Sequence, residues 1–364
     1  MHHRFLASVT VLTALIAVVV LAAMPVTGPT SLISFVGVAE ASGEGAQAPS
    51  AAARPNRTAA KGYARPRTPD GQPDLQGFWT NATYTPLQRP KDVTKEFYTK
   101  EEAADIEKRG AERESDQTVP GTIPDVHYDF TQFGLDRHQG TYASNLRTSL
   151  IVDPPDGKIP SLTAEGQKRA AERAEARRRM GGRWDAAQNN ELDDRCIIME
   201  RAGPPMLPGT YNNNYQIVQG PGYVMILVEM IHDARIIPLD GRPQPPQNIR
   251  QWMGISRGRW EGQTLVVETT NFNGKNAFNR GTEHMRLTER FTRLDEDTVI
   301  YRFTVEDPTL WTRPWTAEIP MQKTVGPLFE HACHEGNYGL YNTLVGARAE
   351  EKRAAEEAAK KGSR

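Results

Sequence analysis

The chain has 364 residues, enough for one large domain or two modest ones, and its 44 basic and 45 acidic side chains leave a formal charge of −1. A phosphate backbone asks for a basic stripe. The basic clusters here, such as Arg177-Arg178-Arg179, are interleaved with acids or sit on one predicted helix, which argues against nucleic acid as a partner.

Met1 to Arg4 is a short polar head, and Phe5 to Met24 carries no charge and is almost wholly Ala, Val, Leu, Ile and Thr. That pattern reads as an export signal. The run is also near the length of a membrane-spanning helix, so an uncleaved anchor in the inner membrane through residues 5–24 is the alternative. Small-residue sites such as Ala39-Glu40-Ala41 favour cleavage, which assigns residues 1–41 to the signal and makes the mature chain periplasmic or secreted. Membrane contact is then expected only if that segment is retained. Residues 42–67 are Ala, Gly, Pro, Ser and Arg with few large apolar side chains, and they read as a disordered linker.

A single β-rich domain is expected over residues 68–346. Thr99-Lys-Glu-Glu102 is a capping box and predicts a helix over 99–115. A second helix is expected near 163–180, from Thr163 to the Gly181-Gly182 stop. Both are rich in charge, which puts them at the surface. Between them Ser149 to Val152 reads as a strand running into a turn.

From Asn214 onward the period becomes two. Strands are predicted over residues 215–219, 223–230, 234–239, 264–269, 285–294, 298–306, 315–323 and 328–333. The stretch 223–230 is apolar at both parities and is expected to be buried on both faces. Turns such as Gly220-Pro-Gly222 and Asp295-Glu-Asp297 are too short to hold crossover helices. The fold class is therefore mainly β: an antiparallel meander barrel or strongly curved sheet with peripheral helices. Residues 347–364 form a charged tail, helical or disordered, without an apolar stripe.

Several phrases carry a resemblance. Thr68-Pro-Asp-Gly-Gln-Pro-Asp-Leu-Gln-Gly-Phe-Trp79, Gly258-Arg-Trp-Glu-Gly-Gln-Thr-Leu-Val-Val-Glu-Thr269 and Cys333-His-Glu-Gly-Asn337 resemble signatures of a widespread family of uncharacterised exported bacterial proteins. The resemblance spans roughly Thr68 to Arg348 and implies export without implying a reaction. Gly77-Phe78-Trp79 is also similar to the GxW opening of lipocalin-type barrels, which adds a barrel by analogy.

Three residues are candidate acids or bases. Glu289 shares a strand face with Met285, Leu287 and Phe291, where a carboxylate needs either a raised pKa or a partner such as Arg302 on the neighbouring strand. Glu229 interrupts an apolar stretch with His232, on opposite faces of a regular strand. His334 lies in His331-Ala-Cys-His-Glu335, whose aligned His331, Cys333 and Glu335 raise a metal reading only if the thiol is free. The two cysteines, Cys196 and Cys333, read first as a disulfide in an exported chain, with free thiols or metal ligands as the alternative.

Ser256 in Gly254-Ile-Ser-Arg-Gly258 is a near miss to a nucleophile elbow, without the strand-to-helix turn that motif needs. Trp79, Trp260, Trp315 and Tyr215, with Arg290, are the candidate ligand-binding residues, although such aromatics equally build a large β core. No phosphate loop, dinucleotide fingerprint or haem motif is present, and no cofactor or metal is expected. These features favour an exported protein that binds a small apolar or aromatic ligand. The alternatives are an enzyme acting on such a molecule with a buried carboxylate as acid or base, and a structural envelope protein.

Overall fold

A computed structural model describes residues 63–114, 145–209, 211–275, 278 and 281–362. The expected export segment and the linker as far as residue 62 lie outside the described residues. Residues 65–67 are tied to the domain: Arg67 bridges to Pro73, and Arg65 donates to the Arg293 carbonyl at 2.7 Å.

The domain is one antiparallel sheet of ten strands that curves into a nearly closed barrel. In chain order they are β1 (Gly77–Thr80), β2 (Ile151–Asp153), β3 (Asn214–Gly220), β4 (Tyr223–Val228), β5 (Ala234–Pro238), β6 (Ile255–Glu261), β7 (Thr264–Thr270), β8 (Arg286–Arg293), β9 (Thr298–Glu306) and β10 (Trp315–Lys323). Their spatial order is β5-β4-β3-β1-β10-β9-β8-β7-β6, with β2 paired to β10 off that path. Short β1 therefore joins two ladders, pairing Trp79 with Tyr215 of β3 and with Lys323 of β10.

The path holds nine strands, an odd number, and every neighbouring pair is antiparallel. Its two end strands, β5 and β6, consequently run parallel. Parallel strands need a long crossover, and residues 239–254 supply it. No ladder joins β5 to β6, so the barrel keeps a seam. The two edges nevertheless touch at Gly258. Gly258 lies so close to β5 that a Cβ there would meet Leu239 at 2.6 Å and Ile237 at 2.8 Å.

Alternation makes the inside. Val299, Tyr301, Phe303 and Val305 of β9 and Trp315, Ala317, Ile319 and Met321 of β10 are all fully buried. Phe291 stacks on Tyr301 with centroids 4.9 Å apart, and Trp315 meets Phe303 and Trp311 edge-on at 5.9 Å. The interior is thus filled by aromatic side chains, as in a small barrel whose lumen is a packed core. Strand β4 alternates buried and partly exposed positions, so only one of its faces is fully covered, against the expectation of two. The second face, Tyr223, Met225 and Leu227, is left partly or fully exposed.

Helix α1 (Lys100–Glu114) begins at a reciprocal cap, with the Glu102 amide donating to Thr99 Oγ1 at 3.2 Å and the Thr99 amide to Glu102 Oε2 at 2.8 Å. Thr163 caps α2 (Ala164–Arg179) through the Gly166 amide at 2.9 Å. The last helix, α3 (Tyr338–Gly362), holds no buried residue. The strand expected over residues 328–333 does not form. That stretch follows Gly326-Pro327 and leads into turns, and the disulfide between Cys196 and Cys333 holds its end.

Candidate functional site

Beside the seam between β5 and β6 lies a cleft of about 960 Å³. Arg235 of β5 and Ser256 of β6 form part of its wall, and the apolar lining includes Ile226, Val228, Ile236, Met206 and Met253. Cys196 of the disulfide, His334 and the crossover residues Arg250 to Gly254 also line it.

Behind Arg235 is a buried polar network. Glu289 is fully buried and is held by a two-pronged ion pair, Arg235 Nη1 donating to Oε1 at 2.9 Å and Nη2 to Oε2. The Tyr301 hydroxyl donates to Glu289 Oε1 at 2.8 Å and accepts the Met206 amide at 3.0 Å. Burial, and next the Glu289 charge, hold the Tyr301 phenol well above its ordinary pKa, so it remains a donor. Arg235 also donates from Nε to Ser256 Oγ and from Nη2 to Thr269 Oγ1, both at 3.0 Å. The network ties β5 to β6, β7, β8 and β9 by side chains where the backbone ladder is missing.

Glu289 therefore finds its cation across the barrel, not on the next strand as expected. Arg302 is opposite Arg290 in the β8–β9 register and points outward, while Glu289 lies opposite Phe303 and points in. Arg302 faces Glu318 at 3.9 Å.

Backbone strain concentrates at the cleft. Among the described residues five that are not glycine adopt positive φ. Two are asparagines, which tolerate it. The other three, Cys196 (53°), Ile231 (62°) and His232 (54°), all line the cleft. A β-branched isoleucine in this region is a genuine outlier, and such strain persists only where surrounding contacts over-determine it. Those contacts are visible. The His331 Nδ1 accepts the Ile231 amide at 3.3 Å, and burial holds the His331 pKa below its ordinary value of 6.5. Glu229, just before the turn, is buried and accepts the Asn214 side-chain amide at 2.8 Å and its backbone amide at 3.3 Å.

The other sequence candidates, His334 excepted, lie apart from the cleft. Trp79 is fully buried, donates from its indole to the Leu75 carbonyl at 2.9 Å and carries the Arg293 guanidinium over its ring. Trp315 is fully buried in the aromatic core. Tyr215 is buried with its hydroxyl on Asn81 Nδ2 at 3.2 Å, and burial raises its pKa. Trp260 packs partly buried against the core. Arg290 is on the outer face, paired with Glu261 at 2.9 Å. His334 is exposed at the cleft mouth. The Cys333 thiol is consumed by its bridge, which removes the metal reading of His331, Cys333 and Glu335. Among the described residues no group of three His, Cys, Asp or Glu is placed to hold a metal ion.

Arg235 is a cleft residue that sequence reasoning missed. It shares the inward parity of β5 with Ile237, which is fully buried, just as Glu289 shares that of β8 with apolar neighbours. Two opposite charges at core-facing positions of distant strands are a signal for a pair. Neither a scan against protein-family models nor a search of curated proteins finds a match for this chain.

Proposed function

We propose that this chain is an exported protein that binds a small, mostly apolar or aromatic molecule in the seam cleft. The observation that carries the reading is the coincidence of that cleft with every positive-φ residue among the described ones that is neither glycine nor asparagine. Its size falls in the range of small-molecule sites, roughly 300–1,000 Å³, which combine an apolar wall with a few placed polar groups. Export rests on the N-terminal apolar run, on the resemblance to exported bacterial proteins and on the disulfide, which persists in oxidising compartments. Among the described residues no helix is long and apolar enough to cross a membrane.

Binding is favoured over catalysis by the way the polar groups are engaged. Both Glu289 oxygens accept from Arg235, and one also from Tyr301. The Ser256 hydroxyl bonds to Arg235 and Thr269, neither of which is a base able to take its proton. Native mass spectrometry of the exported protein, beside the same sample denatured, tests the reading. A chain beginning after Ala41 and carrying a non-covalent organic adduct is expected. Ile236→Asp, at an exposed cleft position, should lose the adduct. An adduct that survives this substitution refutes the cleft as the site.

A further inference from the structure

Four arginines on the outer face of β6 to β9 are matched by acids. Arg259 meets Glu261 and Glu268, Arg290 meets Glu261, Arg286 meets Glu268, and Arg302 meets Glu318. Two arginines at the cleft are treated differently. Arg257 donates from Nη1 to the Ser256 carbonyl at 2.9 Å and from Nε to the Pro243 carbonyl at 3.4 Å. Arg250 donates from Nε to the Gln247 carbonyl at 2.9 Å. These bonds orient both guanidinium groups without neutralising either, and among the described residues neither forms an ion pair.

Within the cleft the charge is one-sided. Arg235, Arg250 and Arg257 line it, with Asp233 as the acidic lining residue. Arg235 is balanced from behind by Glu289, and Asp233 accepts from the Ala234 amide at 2.8 Å. The mouth is left with an excess of positive charge beside an apolar wall. Low-dielectric walls focus such a field and favour an anion there.

We propose that the cleft takes an amphipathic organic carboxylate, its head met by Arg250 and Arg257 and its apolar body lying against Ile226, Val228, Ile236 and Met253. The inference rests on the binding reading above and narrows it from an apolar ligand to an anionic one. A guanidinium offers a carboxylate two parallel donors, whereas a neutral head of the same size gains far less from it.

Calorimetric titration with two matched pairs, octanoate against octanol and naphthoate against naphthalenemethanol, separates the two readings. In the unaltered protein the acid of a pair should bind about tenfold or more tightly than its alcohol. The preference should vanish in the double variant R250Q/R257Q and persist in R302Q, which removes an outer-face charge. Equal binding of acid and alcohol to the unaltered protein overturns the anionic inference while leaving the apolar cleft standing, and it needs no variant to fold. Retained preference in R250Q/R257Q overturns the assignment of the head to these two arginines. Failure of all four probes to bind takes down the binding reading and this inference with it.

Discussion

Removing one member of the Arg235–Glu289 pair while leaving the other is the most severe single change the structure points to. Glu289 is fully buried and the Arg235 side chain is 13% exposed. Glu289→Leu strands a guanidinium that has lost both carboxylate contacts, and it leaves the Tyr301 hydroxyl without its acceptor. Breaking a buried pair from one side costs about 3–5 kcal/mol. Water reaches Arg235 from the cleft, which favours the lower figure, about 3 kcal/mol. In a domain of this size that corresponds to a fall of roughly 6–12 °C in Tm. Arg235→Met should cost at least as much, because the carboxylate it strands lies deeper. The double variant Arg235→Met with Glu289→Leu removes both charges and should be less destabilised than the sum of the singles by about 2–3 kcal/mol. Urea denaturation followed by circular dichroism gives all three values. Single substitutions that each cost under about 1 kcal/mol, or singles that simply add, would show that the pair does not hold the seam.

Two further outcomes follow from the contacts around the cleft. Replacing Cys196 and Cys333 by serine opens a bridge across a sequence separation of 137 residues, for which chain entropy alone gives about 5 kcal/mol. A lower urea midpoint is expected, together with weaker octanoate binding, because the bridge anchors one wall of the cleft. An unchanged affinity in the folded variant would remove that wall from the site. His331 accepts the Ile231 amide, which only its neutral ring can do, and its folded pKa is depressed. Its contribution to stability is therefore fully present above its ordinary pKa of 6.5 and is lost as pH falls through the lower folded value. Comparing urea midpoints of the native chain and His331→Gln between pH 8 and about pH 5 checks this. The native chain should lose more on acidification, and parallel curves refute the assignment.

The β class was legible because alternation is a local signal. Thr298 to Glu306 and Trp315 to Lys323 form strands over those same residues, and the inward parity of Glu289 follows from its neighbours alone. What alternation cannot supply is the partner across the barrel. Arg235 and Glu289 are 54 residues apart, and only closure of the sheet brings them together, so the nearer Arg302 looked sufficient. Strand β6 escaped notice because Arg257, Gly258 and Arg259 break its apolar pattern. Gly258 is there for close approach to β5, and the two arginines face away from the core. The cleft was illegible for a related reason. It lies where β5 and β6 meet without a backbone ladder, and no window of residues records that. The aromatic residues chosen as ligand contacts share the core's composition, and Trp79 and Trp315 went to the core.

Strand β1 gives assembly an order opposite to that of synthesis. Gly77–Thr80 is the first strand made, yet it is the bridge between the ladder β3 to β5 and the ladder β6 to β10. Its second partner, the end of β10 at Gln322 and Lys323, leaves the ribosome after nearly the whole domain. Contacts of such separation form late and slowly. A growing chain can zip each hairpin ladder locally, but the two halves stay uncoupled until the last strand meets the first. The nascent protein is thereby kept short of its final state until its last strand is made, which is the state that the export proposed above would require.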